Sequence, residues 1–347
     1  HSQELCSTAS DQYIRIWHAA RGVEIVRREL EHEPHSSLWW SADGRHLFAA
    51  TADGGMEVYD YQPSPCLELL APPQEEPHTE NLGSADLSVD GSLAVVIDEE
   101  TSRVWDFSEG RMARRLPKVH GQWMSALFSP DGRFLWTCGW AQELTEQSVT
   151  RTSGNGVQFG VPRTLLPGQG SLLRDVSTDG RMLVLSNNGT GQFQVFMRET
   201  GKLVRLKHPG TLATAIGPEG TWIATSSYQS PGAKIWSLPS GKLIQTICEK
   251  ETVMQALATP DNRLIVQTSE RKCVFDARTW TLERTLPGSL RLTSMSLSPD
   301  GKRLATVGDN DIGLLDTQTY AEVMRLTPPA HAGWLGECHA TFSGDGT

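Results

Sequence analysis

Ser88-Val89-Asp90-Gly91, followed by the apolar run 93–97 and then by Ser102-Arg103-Val104-Trp105-Asp106, is the stretch that decides the fold of this chain. A hydroxyl residue, an Asp and a Gly in that order make a tight turn: Gly accepts a left-handed backbone, and short polar side chains bond to nearby amides. The same turn returns at Ser41-Ala42-Asp43-Gly44, Ser129-Pro130-Asp131-Gly132, Ser177-Thr178-Asp179-Gly180, Gly217-Pro218-Glu219-Gly220, Thr259-Pro260-Asp261-Asn262, Ser298-Pro299-Asp300-Gly301 and Ser343-Gly344-Asp345-Gly346. The interval is about forty residues, the period of a propeller or solenoid.

The flanks repeat as well. After each turn comes a continuous apolar segment (47–50, 93–97, 134–137, 182–185, 222–224, 264–266, 304–307), which predicts a strand covered on both faces. A third strand follows, ending in an aromatic or apolar residue at Trp17, Tyr59, Trp105, Phe196, Trp236, Phe275 and Leu315. The fourth segments (23–30, 111–116, 202–206, 242–247, 282–286, 321–326) alternate more, as half-exposed outer strands do. One four-stranded sheet per repeat is a propeller blade.

With Trp105-Asp106 as the intact dipeptide and relaxed versions at Tyr59-Asp60, Phe275-Asp276 and Leu315-Asp316, the chain resembles the WD40-repeat β-propeller family over essentially its whole length. It departs from that pattern in lacking most Gly-His elements and in a longer third repeat, 140–168, without Trp-Asp. The expected fold is all-β: an eight-bladed β-propeller of four-stranded antiparallel blades, read as one domain over 1–347. The chain starts on a second strand and stops on a first strand plus its turn, so a closure blade of about 1–30 plus 337–347 is expected. Seven blades, or a fragment of a longer array, are the alternatives. His1 stands where an initiator Met would, so the chain is expected to belong to a larger polypeptide.

Composition narrows function by exclusion. A net charge of −10 argues against a nucleic-acid backbone as partner. No apolar run reaches bilayer length, so no membrane role is expected. The six cysteines show no CxxC spacing and read as thiols of a reducing, cytoplasmic compartment, not as a disulfide frame or zinc site. His32-Glu33-Pro34-His35 and Glu75-Glu76-Pro77-His78 read as solvated loops, and Asp98-Glu99-Glu100 and Asp309-Asn310-Asp311 lack a calcium-loop pattern. No metal and no cofactor are expected. Inner strands supply Asp86, Arg174, Asp175 and His339 among apolar residues, without a compact triad, so no catalytic residue is assigned and the chain is read as not an enzyme.

Loops joining second to third strands, and fourth strands to the next blade, share one face of the disc. That face collects Glu99, Glu100, Glu143, Glu146, Glu249, Glu251, Glu270 and Asp309, whereas the turn face carries Arg111, Arg133, Arg181 and Lys302. Trp123, Trp140, Tyr228 and Trp334 fall in or beside the loops of the acidic face, where the repeat does not require them. Aromatic anchors rimmed by charge are the usual composition of a binding hot spot. The predicted partner site is therefore Trp123, Trp140, Tyr228, Trp334, Glu99, Glu100, Glu143, Glu270 and Asp309. What the resemblance implies is a protein-interaction scaffold binding a protein or peptide, possibly basic, within a larger signalling or regulatory protein. A propeller enzyme with a channel-mouth site and an oligomerising ring are the rival readings.

Overall fold

In the computed structural model the chain forms eight antiparallel sheets, seven of four strands and one of five. The structure describes residues 4–8, 13–18, 23–29, 34–41, 46–51, 56–60, 66–70, 82–98, 102–107, 111–117, 124–140, 142–152, 156–168, 170–187, 192–286, 294–298, 300–307, 312–326 and 339–342. Seven sheets are contiguous in sequence, at 34–70, 82–115, 124–166, 171–209, 211–247, 253–286 and 294–326; these are blades 2 to 8. Blade 1 is composite. Val23–Glu29, Tyr13–His18 and Glu4–Thr8 run inward to His339–Phe342, with Leu5 opposite Phe342 and Thr8 opposite His339. The ring has eight blades, and the first strands of the chain complete the sheet begun by its last strand.

A blade is too thin to bury its own faces, so its side chains must be covered by its neighbours. The buried apolar residues accordingly form eight clusters, each bridging two adjacent blades. Trp17 of blade 1 packs with Ala305, Leu314 and Leu326 of blade 8, so the junction that closes the ring is built like the others. Second strands lie at the middle of these clusters: Val95, Val96 and Ile97 are buried on both faces.

The recurrent turn is a closed hydrogen-bond circuit. The Ser88 hydroxyl donates to Asp90 Oδ1 (2.6 Å) and accepts from Leu93 N (2.9 Å). Asp90 Oδ1 also accepts from Ser92 N (3.1 Å), and Gly91 N reaches Ser88 O (2.8 Å) with Gly91 at φ +66°. Ser129, Ser177 and Ser298 repeat the circuit. Thr259 runs it with Asn262 in the left-handed position at φ +66°. At the Trp-Asp position the third and fourth strands slip register, between Ile16 and Trp17, Val104 and Trp105, Ile235 and Trp236, Val274 and Phe275, and Leu314 and Leu315. A bulge at this point increases local twist; blades 1, 3, 6, 7 and 8 carry it, whereas blade 2 keeps an unbroken register and blade 5 slips earlier, between Gln192 and Gln194.

Two departures from the turn pattern prove to be one feature. Gly217 replaces the hydroxyl residue because a Cβ there would lie 2.4 Å from the Trp222 ring. Trp222 in turn donates Nε1 to Oδ1 of Asn262 in the next blade's turn (3.0 Å) and meets Trp280 edge-on at 5.1 Å. The indole thus links the turns of blades 6 and 7.

The long third repeat, blade 4, carries an added hairpin. Its third strand, Gln142–Arg151, pairs with Arg163–Leu166 as the fourth strand and, further along, with Val157–Phe159. Val149, Val157 and Phe159 pack on the core shared with blade 3, and Arg151 reaches Asp106 of the Trp-Asp dipeptide at 3.3 Å. Trp136, on the second strand, supplies the buried indole and donates to Glu146 (3.0 Å).

Deleting 339–347 removes the inner strand of blade 1 and is expected to lower the melting temperature by roughly 10 °C or more; an unchanged melt would refute closure by that strand. Gly217→Ser should cost about 1–3 kcal/mol by overpacking, and Trp222→Met, which restores the Ser/Met combination of blade 5, should abolish that cost. Additive losses in a denaturant double-mutant cycle would show the two positions to be independent.

Candidate functional site

The second-to-third-strand loops and the starts of the inner strands lie on one face of the ring, opposite the Ser-Asp-Gly turns. On it Tyr228 is 67% exposed, yet its loop is bonded from several directions. Tyr228 N donates to Gly210 O (2.9 Å), Gln229 N to the Ser227 hydroxyl (2.9 Å), and Gly232 N to Glu251 O (2.8 Å). Ser230 contacts His208 Nε2 at 3.2 Å, while His208 Nδ1 meets the Thr225 hydroxyl (2.8 Å), which accepts from Trp236 Nε1 (2.9 Å). Burial, then the Lys234 charge, push His208 down to about 4, so its ring is neutral at neutral pH. Gly210, at φ +73°, admits the loop: a Cβ there would come within 2.5 Å of Gln229.

Trp140 is 39% exposed on the corresponding loop of blade 4, and its carbonyl oxygen lies 2.6 Å from where a Gly170 Cβ would stand. That loop therefore abuts the start of the inner strand of blade 5, Ser171–Val176. The inner strands of blades 5, 6 and 7 stand side by side. Their second residues are Leu172, half-buried, Leu212, 38% exposed, and Met254, 46% exposed. Trp140, Leu172, Leu212, Tyr228 and Met254 thus form an apolar arc around this mouth of the channel across blades 4 to 7. Leu212 and Met254 were not anticipated, because an apolar residue at the start of a strand carries no sign of exposure.

Of the other predicted residues, Glu270 is exposed on the matching loop of blade 7. Glu143 is exposed too, but its carboxylate accepts from Thr164 on the outer strand of blade 4 (2.7 Å), away from the arc. Trp123, Trp334, Glu99, Glu100 and Asp309 lie outside the described residues. The acidic character of the face is weaker than the sequence suggests. Glu251 accepts from Thr268 and from Arg271 (2.7 Å), and Glu146 is clasped by Trp136, Arg163 (2.9 Å) and Arg198. Burial alone would raise the Glu146 carboxyl, but hydrogen bonds from Arg198 and Trp136 and the two guanidinium charges hold it below the ordinary range.

The inner-strand carboxylates belong to the opposite mouth and act as stitches between blades. Asp86 Oδ2 accepts from Phe128 N of blade 4 (2.7 Å), the Ser125 hydroxyl of blade 4 accepts from Leu173 N of blade 5 (2.6 Å), and Asp175 takes its own neighbour Val176 N (2.8 Å) and Thr214 of blade 6. Burial raises both carboxyls, Asp86 to about 7 and Asp175 to about 6, against the backbone bonds that lower them. Arg174, at a register shift between Leu173 and Asp175, donates to the Ser186 hydroxyl (2.8 Å). Of His339 only the backbone is described. Among the described residues no group of three His, Cys, Asp or Glu side chains could hold a metal ion.

A raised folded pKa means that Asp86 binds its proton more tightly folded than unfolded. Its cost is absent below about pH 4 and complete above about 7. Asp86→Asn keeps an acceptor for Phe128 N and should stabilise the ring on the order of 2 kcal/mol above pH 7, discounted for solvent at the channel wall, with no gain near pH 4. Denaturant titrations at the two pH values check it; an equal effect at both would refute the assignment.

Comparison with known proteins places these features. Residues 280–316 match the family model "WD domain, G-beta repeat". That unit takes the outer strand of blade 7 and the first three strands of blade 8, so the sequence repeat straddles the blade boundary. Coronin-7 of Rattus norvegicus is 39% identical over 61 residues, 18% of this chain, which spans 7% of that protein. Among solved structures, the dihydro-heme d1 dehydrogenase NirN in complex with DHE superposes with a TM-score of 0.75 at 16% identity, covering 99% of this chain and 75% of its own. The expectation that the chain is not an enzyme is overturned by that likeness. A ring of this architecture belongs to a dehydrogenase, so the scarcity of convergent acid and base groups on the inner strands gives no ground for excluding catalysis.

Proposed function

We propose that this chain, a WD40-repeat β-propeller, recognises a segment of a partner protein at the channel mouth lined by Trp140, Leu172, Leu212, Tyr228 and Met254. The observation that carries this reading is Tyr228: its amide bonds Gly210, its loop is held through Ser230 to His208 and through Gly232 to Glu251, and yet the residue is two-thirds exposed. An exposed aromatic on a pre-ordered loop loses little conformational freedom on binding, which is the economy of a hot-spot anchor. Leu212 and Met254 add apolar surface beside it, and Met adapts to irregular partners.

The favoured ligand is a peptide segment with a bulky apolar residue for the arc and a Lys or Arg directed at Glu270. Trp123, Trp334, Glu99, Glu100 and Asp309 would extend the site around the rest of the face. In this reading the ring serves as one module of a larger signalling or regulatory polypeptide. The described cysteines are free thiols, which suits a reducing compartment such as the cytoplasm.

Selection of a displayed random-peptide library on the immobilised ring tests the site. Enriched peptides should combine bulky apolar with basic residues, bind at least about tenfold more weakly to the Trp140→Ala/Tyr228→Ala double variant, and weaken further at high salt. Because these side chains are exposed, the variant should melt within a few degrees of the parent. Peptides that bind parent and variant equally would place recognition elsewhere.

A further inference from the structure

Among the described residues, Arg174 is the only Arg or Lys on the inner strands that surround the channel. Its strand, Ser171–Val176, is the innermost of blade 5. Leu173 on that strand packs with Trp136 and Cys138 of blade 4, and Asp175 bonds Thr214 of blade 6, so both sides are covered. Arg174 is nevertheless exposed, and the solvent it meets is that of the channel. The strand bulges at this point: Leu173 stands opposite Leu185 and Asp175 opposite Val184, which leaves Arg174 without a register partner and re-aims its side chain. The side chain turns back toward the loop face, where its Nε donates to the Ser186 hydroxyl (2.8 Å). Ser186 is the register partner of Leu172, so the guanidinium lies level with Leu172, within the apolar arc.

We propose that Arg174 receives the free carboxylate at the C-terminal end of a partner polypeptide, which enters this mouth end-first and lays its last side chain, an apolar one, against Leu172, Leu212 and Met254. The Ser186 bond occupies Nε and leaves both Nη groups, whose parallel N–H bonds match the two oxygens of a carboxylate. Among the described residues no carboxylate pairs with them. Asp175, next in sequence, turns instead to Val176 N (2.8 Å) and to Thr214. Burial lowers the Arg174 pKa with no neighbouring charge to oppose it, yet a guanidinium stays protonated at neutral pH. A cation set among apolar side chains without a counter-ion is costly, and an arriving anion offsets that cost.

The place of the cation argues for a chain end. An internal segment that reached an inner strand would have to enter and leave by the same mouth, whereas an end has only to enter. Leu172, Leu212 and Met254 exclude water around the pair, which strengthens it, and the Ser186 bond orients the fork beforehand. The mouth is then polarised along the ligand: the terminal carboxylate lies inside at Arg174, and a Lys or Arg further back in the chain meets Glu270 at the rim. The apolar contacts rest on the reading of this mouth given above; the charge pairing does not.

The test uses the full chain and a set of random pentapeptides ending in Leu or Phe, tethered by their N-termini and made in parallel as C-terminal acids and amides. The parent ring should hold the acids at least about tenfold more tightly than the matched amides. Arg174→Gln, which keeps a donor for Ser186, should erase that ratio, and Arg174→Lys, which keeps the charge without the fork, should retain only part of it. Tyr228→Ala should weaken acids and amides alike, and all three variants should melt within a few degrees of the parent. Equal capture of acids and amides by the parent, capture of neither, or an acid preference that survives Arg174→Gln would overturn the proposal. So would amide-capped peptides ending in Glu, or N-acetylphenylalanine, that bind as tightly as the acids, since the carboxylate would then come from a side chain or a small molecule. The two readings fail separately. Acids and amides that bind equally but are lost in Tyr228→Ala remove the carboxylate and leave the mouth; an acid preference set by Arg174 and indifferent to Tyr228 does the reverse.

Discussion

Each blade can hide its faces only against its two neighbours, and that constraint governs the molecule. A row of blades would leave an apolar face open at each end; a ring leaves none. Closure therefore requires the last junction to match the others, and it does. Trp17 meets blade 8 through the same kind of cluster that joins every other pair, while Glu4–Thr8 pairs with His339–Phe342 inside one sheet. Because closure is made by hydrogen bonds and packing, the composite blade bears a load that elsewhere is carried by a continuous chain.

The blades align because their turns are local circuits, and locality is also why the turns were legible in sequence. Ser88, Asp90 and Gly91 each answer a demand made within five residues, so the sequence alone names the turn and its period. Interactions between blades left no comparable trace. Gly217 and Asn262 look like two independent lapses from the pattern; they are one adjustment, made around an indole that neither position predicts. The same holds for blade 4, where the missing Trp-Asp reflects a tryptophan placed on the second strand and a hairpin laid over blade 3.

The candidate site divides along the same line. Trp140 and Tyr228 stood out because they fail to repeat, and both are exposed on the expected face. Leu212 and Met254 occupy ordinary strand positions, and only the ring shows that the inner strand's first turn of side chains opens at the mouth. Charge was misjudged for a related reason. Glu146 and Glu251 belong by sequence to the loop face, but their cationic partners lie at Arg198, Arg163 and Arg271, and pairing removes them from the field a ligand would feel. Among the described residues, what remains exposed near the arc is apolar surface with Glu249, Lys250, Glu270 and Arg174, so long-range attraction would contribute less to recognition than shape and burial at the anchors.

The two mouths of the channel are thus unlike in kind. At the turn face, carboxylates are spent on the frame: Asp86 and Asp175 bond the next blade at the cost of burying a charge, and a group held near neutrality by burial is available to a neighbour's amide more than to a ligand. At the loop face the frame is complete beneath the surface, in the His208–Thr225–Trp236 chain and the Glu251 bonds, so Tyr228 can be exposed without being loose. Rigidity below and apolar exposure above are separate requirements, and the loop face of blades 6 and 7 meets both.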